Sequence, residues 1–199
     1  MRTSWTQLVL RTALAVASVP ALAQTAGIDP ALLAKANAGD AAAQVAVGER
    51  YAAYAAEQRN VERAGEAYRQ AAEWYRRAAD NAYIVAEAHL AALYRDGGKG
   101  FPRDMAQAAA WYRRAAEQGD VTAQGMLGVL YSIGQGVPHD DVEAYFWLDL
   151  AAGVKGPNQE KYAANRQLVG THITTDEQEA VEERVAAWLV AHPRRAASE

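Results

Sequence analysis

The 199-residue chain has no cysteine and only four histidines, and its basic residues are outnumbered by acidic ones. Without cysteine there is no disulfide, no thiolate metal site and no residue to carry a lipid anchor, so stability rests on packing alone. The histidines, His89, His139, His172 and His192, are scattered along the chain. None has a second histidine at the short spacing that metal ligation on one helix requires, so no metal and no cofactor are expected. Serine is scarce as well. Beyond the first 23 residues only Ser132 and Ser198 remain, and neither stands in a nucleophile motif such as G-x-S-x-G or S-x-x-K.

The first 23 residues have the order of a secretory signal. Arg2 and Arg11 supply positive charge, an apolar run covers 13–19, and Ala21-Leu22-Ala23 is a small-x-small site. Cleavage is expected between Ala23 and Gln24, which places the mature protein in the periplasm or outside the cell. Arg11 interrupts the run, leaving it short of the roughly 20 apolar residues of a spanning helix, so no membrane span is expected after cleavage. The segment takes two of the 20 basic residues and none of the 24 acidic ones, leaving 18 against 24, a formal charge of −6. A basic footprint for nucleic acid is missing, and none is expected as a partner.

What the chain has in abundance is self-similarity. "WYRRAADN" from Trp74 returns as "WYRRAAEQ" from Trp111, and Trp147 follows 36 positions later. "AEAHLAALY" from Ala86 falls on "AQGMLGVLY" from Ala123, and "GKGFPRD" from Gly98 falls on "GQGVPHD" from Gly134. "NAGDAAAQVAVGERY" from Asn37 aligns with "EQGDVTAQGMLGVLY" from Glu117. A period near 36 belongs to stacked repeats.

Each unit reads as helix, glycine turn, helix. Ala123, Leu127, Gly128 and Tyr131 share one helical face, and Ala108, Trp111, Tyr112, Ala115 and Ala116 share another. Glycines such as Gly136 turn the chain, and Asp104 and Asp140 stand three residues before Gln107 and Glu143 as N-caps. Recurrence at the packing period assigns Trp74, Trp111 and Trp147 to the core, together with Tyr51, Leu90, Tyr94, Leu127, Gly128, Tyr131 and Gly136 as repeat anchors. The first unit lacks the glycine-proline turn. It is either two helices broken near residues 58–60 or one longer helix. Asp29-Pro30 opens a short leading helix, "NQEKYAANRQLVG" is a half-unit helix, and "TTDEQEAVEERVAAWLVAH" is a capping helix opened by Thr174 or Thr175.

These residues resemble the Sel-one-like repeat family, within the tetratricopeptide-like superfamily, and specifically an exported bacterial member. The shared pattern is A-x-x-x-L-G-x-x-Y, then G-x-G-V-P-x-D, then A-x-x-W followed by A-A. Residues 86–116 and 123–152 fit it well, and 37–79 in part. The resemblance implies a right-handed α/α superhelix whose concave face binds peptides or proteins, in the manner of an adaptor.

The expected fold is therefore all-α: about three helix-turn-helix repeats with capping helices. The solenoid is expected over 29–192, after a signal at 1–23 and a linker at 24–28, with a disordered tail at 193–199. Its expected role is non-catalytic binding of a protein or peptide. The alternative is a peptidoglycan-associated factor or a β-lactamase-like enzyme of the cell envelope. The far side of each first helix carries Val45, Glu49 and Ala52, then Ala88, Ala92 and Arg95, then Gly125, Val129 and Ser132. Partner-binding candidates on this groove are Glu49 and Arg95, edged by Arg50 and Tyr54, with His89 partly buried between units. Either the groove is open or the C-terminal helix fills it. The pairs Arg76-Arg77 and Arg113-Arg114 read as solvated helix face. The oligomeric state is not legible.

Overall fold

Helices start in this chain where a short polar side chain can take an orphan amide. The computed structural model describes residues 21–193, so the expected signal core and the tail from 194 lie outside the described residues. Asp40, Asn60, Asp104, Asp120 and Asp140 each accept a hydrogen bond from the amide three residues on, at 2.7–2.9 Å. Such a cap contributes about 1 kcal/mol. Among the described residues ten helices result: α1 Ala21–Thr25, α2 Pro30–Asn37, α3 Ala41–Glu57, α4 Val61–Asp80, α5 Ile84–Asp96, α6 Met105–Glu117, α7 Val121–Ile133, α8 Asp141–Ala152, α9 Gln159–Gly170 and α10 Thr175–Ala191. Asp29 caps α2 through the Ala31 amide, and Thr174 forms the capping box with Glu177, which decides its register. The expected cleavage point lies inside α1, and the expected linker contributes Ile28 to the core.

Three antiparallel hairpins follow: α3 with α4, α5 with α6, and α7 with α8, each packed on the next. The first unit is two helices, because Asn60 caps α4 as the aspartates do elsewhere. In the other units the turn glycines allow close stacking. Gly100 and Gly136 hold φ of +70° and +75°. A Cβ on Gly100 would overlap the Val61 carbonyl oxygen at the start of α4, and one on Gly136 would overlap the Met105 carbonyl oxygen at the start of α6. Each turn is thus seated on the second helix of the preceding unit.

Two apolar cores run through the stack and share Tyr94 and Trp111. Trp74 and Trp147 are buried as expected, whereas Trp111 and Tyr94 are half-buried because they bridge the cores at the rim. The paired arginines are more than solvated helix face. Arg77 and Arg114 lie over Trp74 and Trp111, 4.6 Å from each ring centre. Arg76 donates to the Tyr94 hydroxyl at 2.9 Å, and Arg113 donates to that of Tyr131, each tying a second helix to the next first helix. At the third junction the polarity inverts, with Asp149 accepting from Arg166.

One buried polar position recurs with a change of chemistry. Gln44 and Gln124 each donate to the carbonyl eight residues back, Ala36 at 3.1 Å and Ala116 at 3.2 Å. The middle unit has Glu87 there, fully buried, and an ionised carboxylate cannot donate. Arg114 substitutes, donating to the Ala79 carbonyl at 3.3 Å while pairing with Glu87 at 3.0 Å, an ion contact rather than an aligned hydrogen bond. Gln118 donates to the other carboxylate oxygen at 2.6 Å. Burial, only partly offset by Arg114, holds the Glu87 carboxyl above the usual carboxylate range.

Candidate functional site

The first helices, α3, α5 and α7, and the half-unit helix α9 bring the candidate residues onto one face. Glu49 on α3 meets His89 on α5 at 3.4 Å, and the imidazole stacks on Tyr75 with ring centres 5.2 Å apart. Arg95, near the end of α5, forks onto Asp96 at 2.7 and 2.8 Å and donates to the Tyr112 hydroxyl at 2.9 Å. The same guanidinium reaches Met126 on α7, 3.8 Å from the sulfur. Glu49, His89 and Arg95 therefore bridge successive units instead of standing alone in a groove. Arg50 is exposed and Tyr54 half-buried at the α3 end. Val45 and Gly125, expected to line the groove, are buried between units, with Tyr162 packed on Gly125.

The capping helix leaves this face uncovered. Helix α10 packs on α8, a second helix, through buried Val181 and Val185. Arg184 lies over the Phe146 ring at 3.8 Å and pairs with Glu143 on the same helix. Trp188 is half-buried and Leu189 36% exposed, so the expected apolar stripe is narrower than its pattern. Meanwhile Val85, Ile133 and Leu168 on first-type helices are 46%, 54% and 63% exposed, far above core values.

Sequence spacing hid one cluster. Asp141, at the start of α8, lies between His139 and His172, with nitrogen–oxygen distances of 3.3 and 3.5 Å. No group of three histidine or carboxylate side chains able to hold a metal ion occurs among the described residues. Beside the cluster a cleft of about 220 Å³ opens between α7 and α9, lined by Val129, Ser132, Ile133, Asn165, Leu168 and Val169 as well as Asp141 and His172. Its members come from three elements, so no local motif could reveal it. A wider hollow of about 700 Å³ lies along α9, where Arg166 is committed to Asp149. The phenols beneath the face keep their protons. Burial pushes the Tyr112 hydroxyl up to about 12 and Tyr75 higher still.

Stacked two-helix units with terminal caps define an α-solenoid repeat protein. The Sel1 repeat matches residues 41–83, 84–120 and 121–153, more than half of the chain, and the chain belongs to that family. Sel1 repeats in general act as protein-interaction scaffolds rather than catalysts. Among solved structures the chain is similar to c5321, described as a protective antigen of uropathogenic Escherichia coli strains with an SLR fold. Identity is 28% and the TM-score 0.62, over 84% of this chain and 36% of that one, so the chain spans about a third of c5321. A Sel1 repeat protein from Oxalobacter formigenes is similar at 33% identity and a TM-score of 0.52, over 65% of this chain and 92% of that one. No curated protein sequence matches the chain.

Proposed function

We propose that this chain is an exported scaffold that binds a protein partner along the face formed by α3, α5, α7 and α9. The observation that carries this reading is the position of α10. It covers α8 and leaves large aliphatic side chains of the first-helix face in water. Three of the six exposed large aliphatic side chains among the described residues, Val85, Ile133 and Leu168, lie on α5, α7 and α9, and apolar side chains in water there favour a macromolecular contact over a small polar substrate. Glu49, His89 and Arg95 supply polar contacts along the same face, within reach of an extended segment or a helix. Export to the periplasm is supported by the charged, apolar and small-residue order of 1–23.

The test is photocrosslinking in intact cells from positions 49 and 92 on the face, with positions 110 and 182 as exposed controls on α6 and α10. A discrete adduct with one protein from the face positions alone is the expected result. Equal adducts from all four positions, or none from the face, reject the assignment. Cell fractionation with N-terminal sequencing checks export, with Gln24 expected as the first residue of periplasmic material. Full-length protein confined to the cytoplasm rejects that part.

A further inference from the structure

The three unit junctions are not equivalent at the end of the first helices, and the difference defines a binding cleft. Tyr51, Tyr94 and Tyr131 align in the repeat, so the following residues, Ala52, Arg95 and Ser132, occupy matching places. Between α5 and α7 that place holds Arg95, whose guanidinium runs across to Tyr112 and Met126. Between α7 and α9 it holds Ser132, whose hydroxyl turns back to donate to the Val129 carbonyl of its own helix at 2.9 Å. Nothing replaces the missing long side chain, and the cleft of about 220 Å³ lies there. Small-molecule sites are typically about 300–1,000 Å³, so this volume suits a single long side chain better than a metabolite.

The cleft's chemistry specifies that side chain. Its lips are Ile133 and Leu168, both more than half exposed, which suit an aliphatic stem. At its base lies Asp141, where the preceding unit has Met105 after its cap residue. A carboxylate at the start of α8 is favourable in itself, since it faces the positive end of the helix. Its Oδ1 is shielded from water and accepts no hydrogen bond, the His139 imidazole at 3.3 Å making an ion contact rather than an aligned hydrogen bond. The side chains beside it are the imidazoles of His139 and His172; the arginines on the flanking helices, Arg166 and Arg184, are taken by Asp149 and Glu143. Among the described residues its ion contacts are with these two imidazoles, and a carboxylate that no arginine or lysine there takes, behind an apolar rim, is complementary to a cation on a hydrocarbon stem.

We propose that the α7–α9 cleft receives an arginine or lysine side chain from a protein partner. The stem lies between Ile133 and Leu168, and the charged head pairs with Asp141. The chain's own Arg95 fills the matching place one unit earlier, there held by Asp96 and Tyr112. This inference rests on the first-helix face being the partner surface and commits its C-terminal end to a basic, aliphatic-flanked segment.

The experiment uses two synthetic nonapeptides identical but for the central residue, Gly-Ser-Gly-Leu-Arg-Leu-Gly-Ser-Gly and its glutamate counterpart. Both are titrated into the isotopically labelled protein and followed by NMR. Saturable shifts at Ile133, Leu168 and Asp141 are expected with the arginine peptide, and affinity about tenfold weaker with glutamate. Ser132→Arg, which puts a long side chain of the chain's own into the cleft, should abolish the shifts at unchanged melting temperature. Leu168→Glu, at an exposed position, should weaken binding without touching the core and serves if Ser132→Arg misfolds. Equal affinity for the two peptides, absence of shifts in the cleft, or unaltered binding in both variants overturns the proposal. A crosslinked partner retained by Ser132→Arg but lost on substitution at Glu49 and His89 overturns the cleft while sparing the wider face. Loss in neither variant removes both.

Discussion

Glu87 and Arg114 exchange the glutamine solution of the other units for an ionic one, and the exchange can be reversed by mutation. Arg114→Ala leaves a fully buried carboxylate with Gln118 as its remaining partner and removes the side-chain donor from the Ala79 carbonyl, which keeps the Ala82 amide. Removing one member of a buried pair typically costs about 3–5 kcal/mol. Here the arginine side chain is 47% exposed, so water can partly take its place. Glu87 can also shed its charge by taking a proton, which brings the expected loss near 2 kcal/mol. For a chain of this length that lowers the melting temperature by about 4–8 °C. Glu87→Gln restores the side chain found at positions 44 and 124 and should lie within about 1 kcal/mol of the parent. The double variant should match Glu87→Gln within about 1 kcal/mol, because the arginine then has no buried charge to serve and loses chiefly its place over Trp111.

The same pair sets a pH dependence. The Glu87 carboxyl is raised above its ordinary 4.5 in the folded state, first by burial. The folded chain therefore holds this proton more tightly than the unfolded one. Its contribution to stability is complete below the unfolded value and is lost as pH rises through the folded one. Calorimetry at pH 4.5 and 7.5 should show the Arg114→Ala deficit shrinking at the acidic pH, with no such change on the Glu87→Gln background. A deficit flat with pH, or Glu87→Gln as damaging as Arg114→Ala, refutes the reasoning.

Gly136→Ala should cost about 2–4 kcal/mol in urea unfolding, since it combines a positive φ with overlap on the Met105 carbonyl. Trp147→Ala, at a site 6% exposed, should cost about 3–5 kcal/mol, and Trp111→Ala at the half-buried rim roughly half as much; equal losses contradict the two-core division. Asp120→Ala should cost about 1 kcal/mol by thermal melting, because the Ala123 amide loses its acceptor. Substituting Glu49 and Arg95 together should weaken recovery of the native partner while the helical circular dichroism is retained, and unchanged recovery rejects their place on the binding face.

Much of this architecture was legible because repeats state their packing more than once. The glycine turns, the aspartate caps and the indoles recur at one period, and each repetition tests the others. The first unit was ambiguous because its turn uses Asn60 in place of glycine and proline, and one cap residue is a weak signal beside a long helical pattern. Arg76 and Arg113 lie on the exposed face as expected, but their ties to Tyr94 and Tyr131 were missed because these lie eighteen residues on in the next helix and looked like core. Glu49, His89 and Arg95 were legible as first-helix residues, yet the contacts each makes across units depend on how consecutive units twist, which residue spacing does not record. The cleft was missed altogether. Val129 and Ser132 were placed on the groove side, but only the position of α9 and His172 around Asp141 makes a cleft of them.

Because the chain has no cysteine, single cysteines report accessibility without background. Maleimide labelling of Leu168→Cys and Glu49→Cys, compared with Val181→Cys beneath α10, tests the open face most directly. Fast labelling at 168 and 49 with protection at 181 until the chain unfolds is the outcome required here. Protection at 168 and 49 that disappears when α10 is deleted would mean that the last helix covers the first-helix face after all.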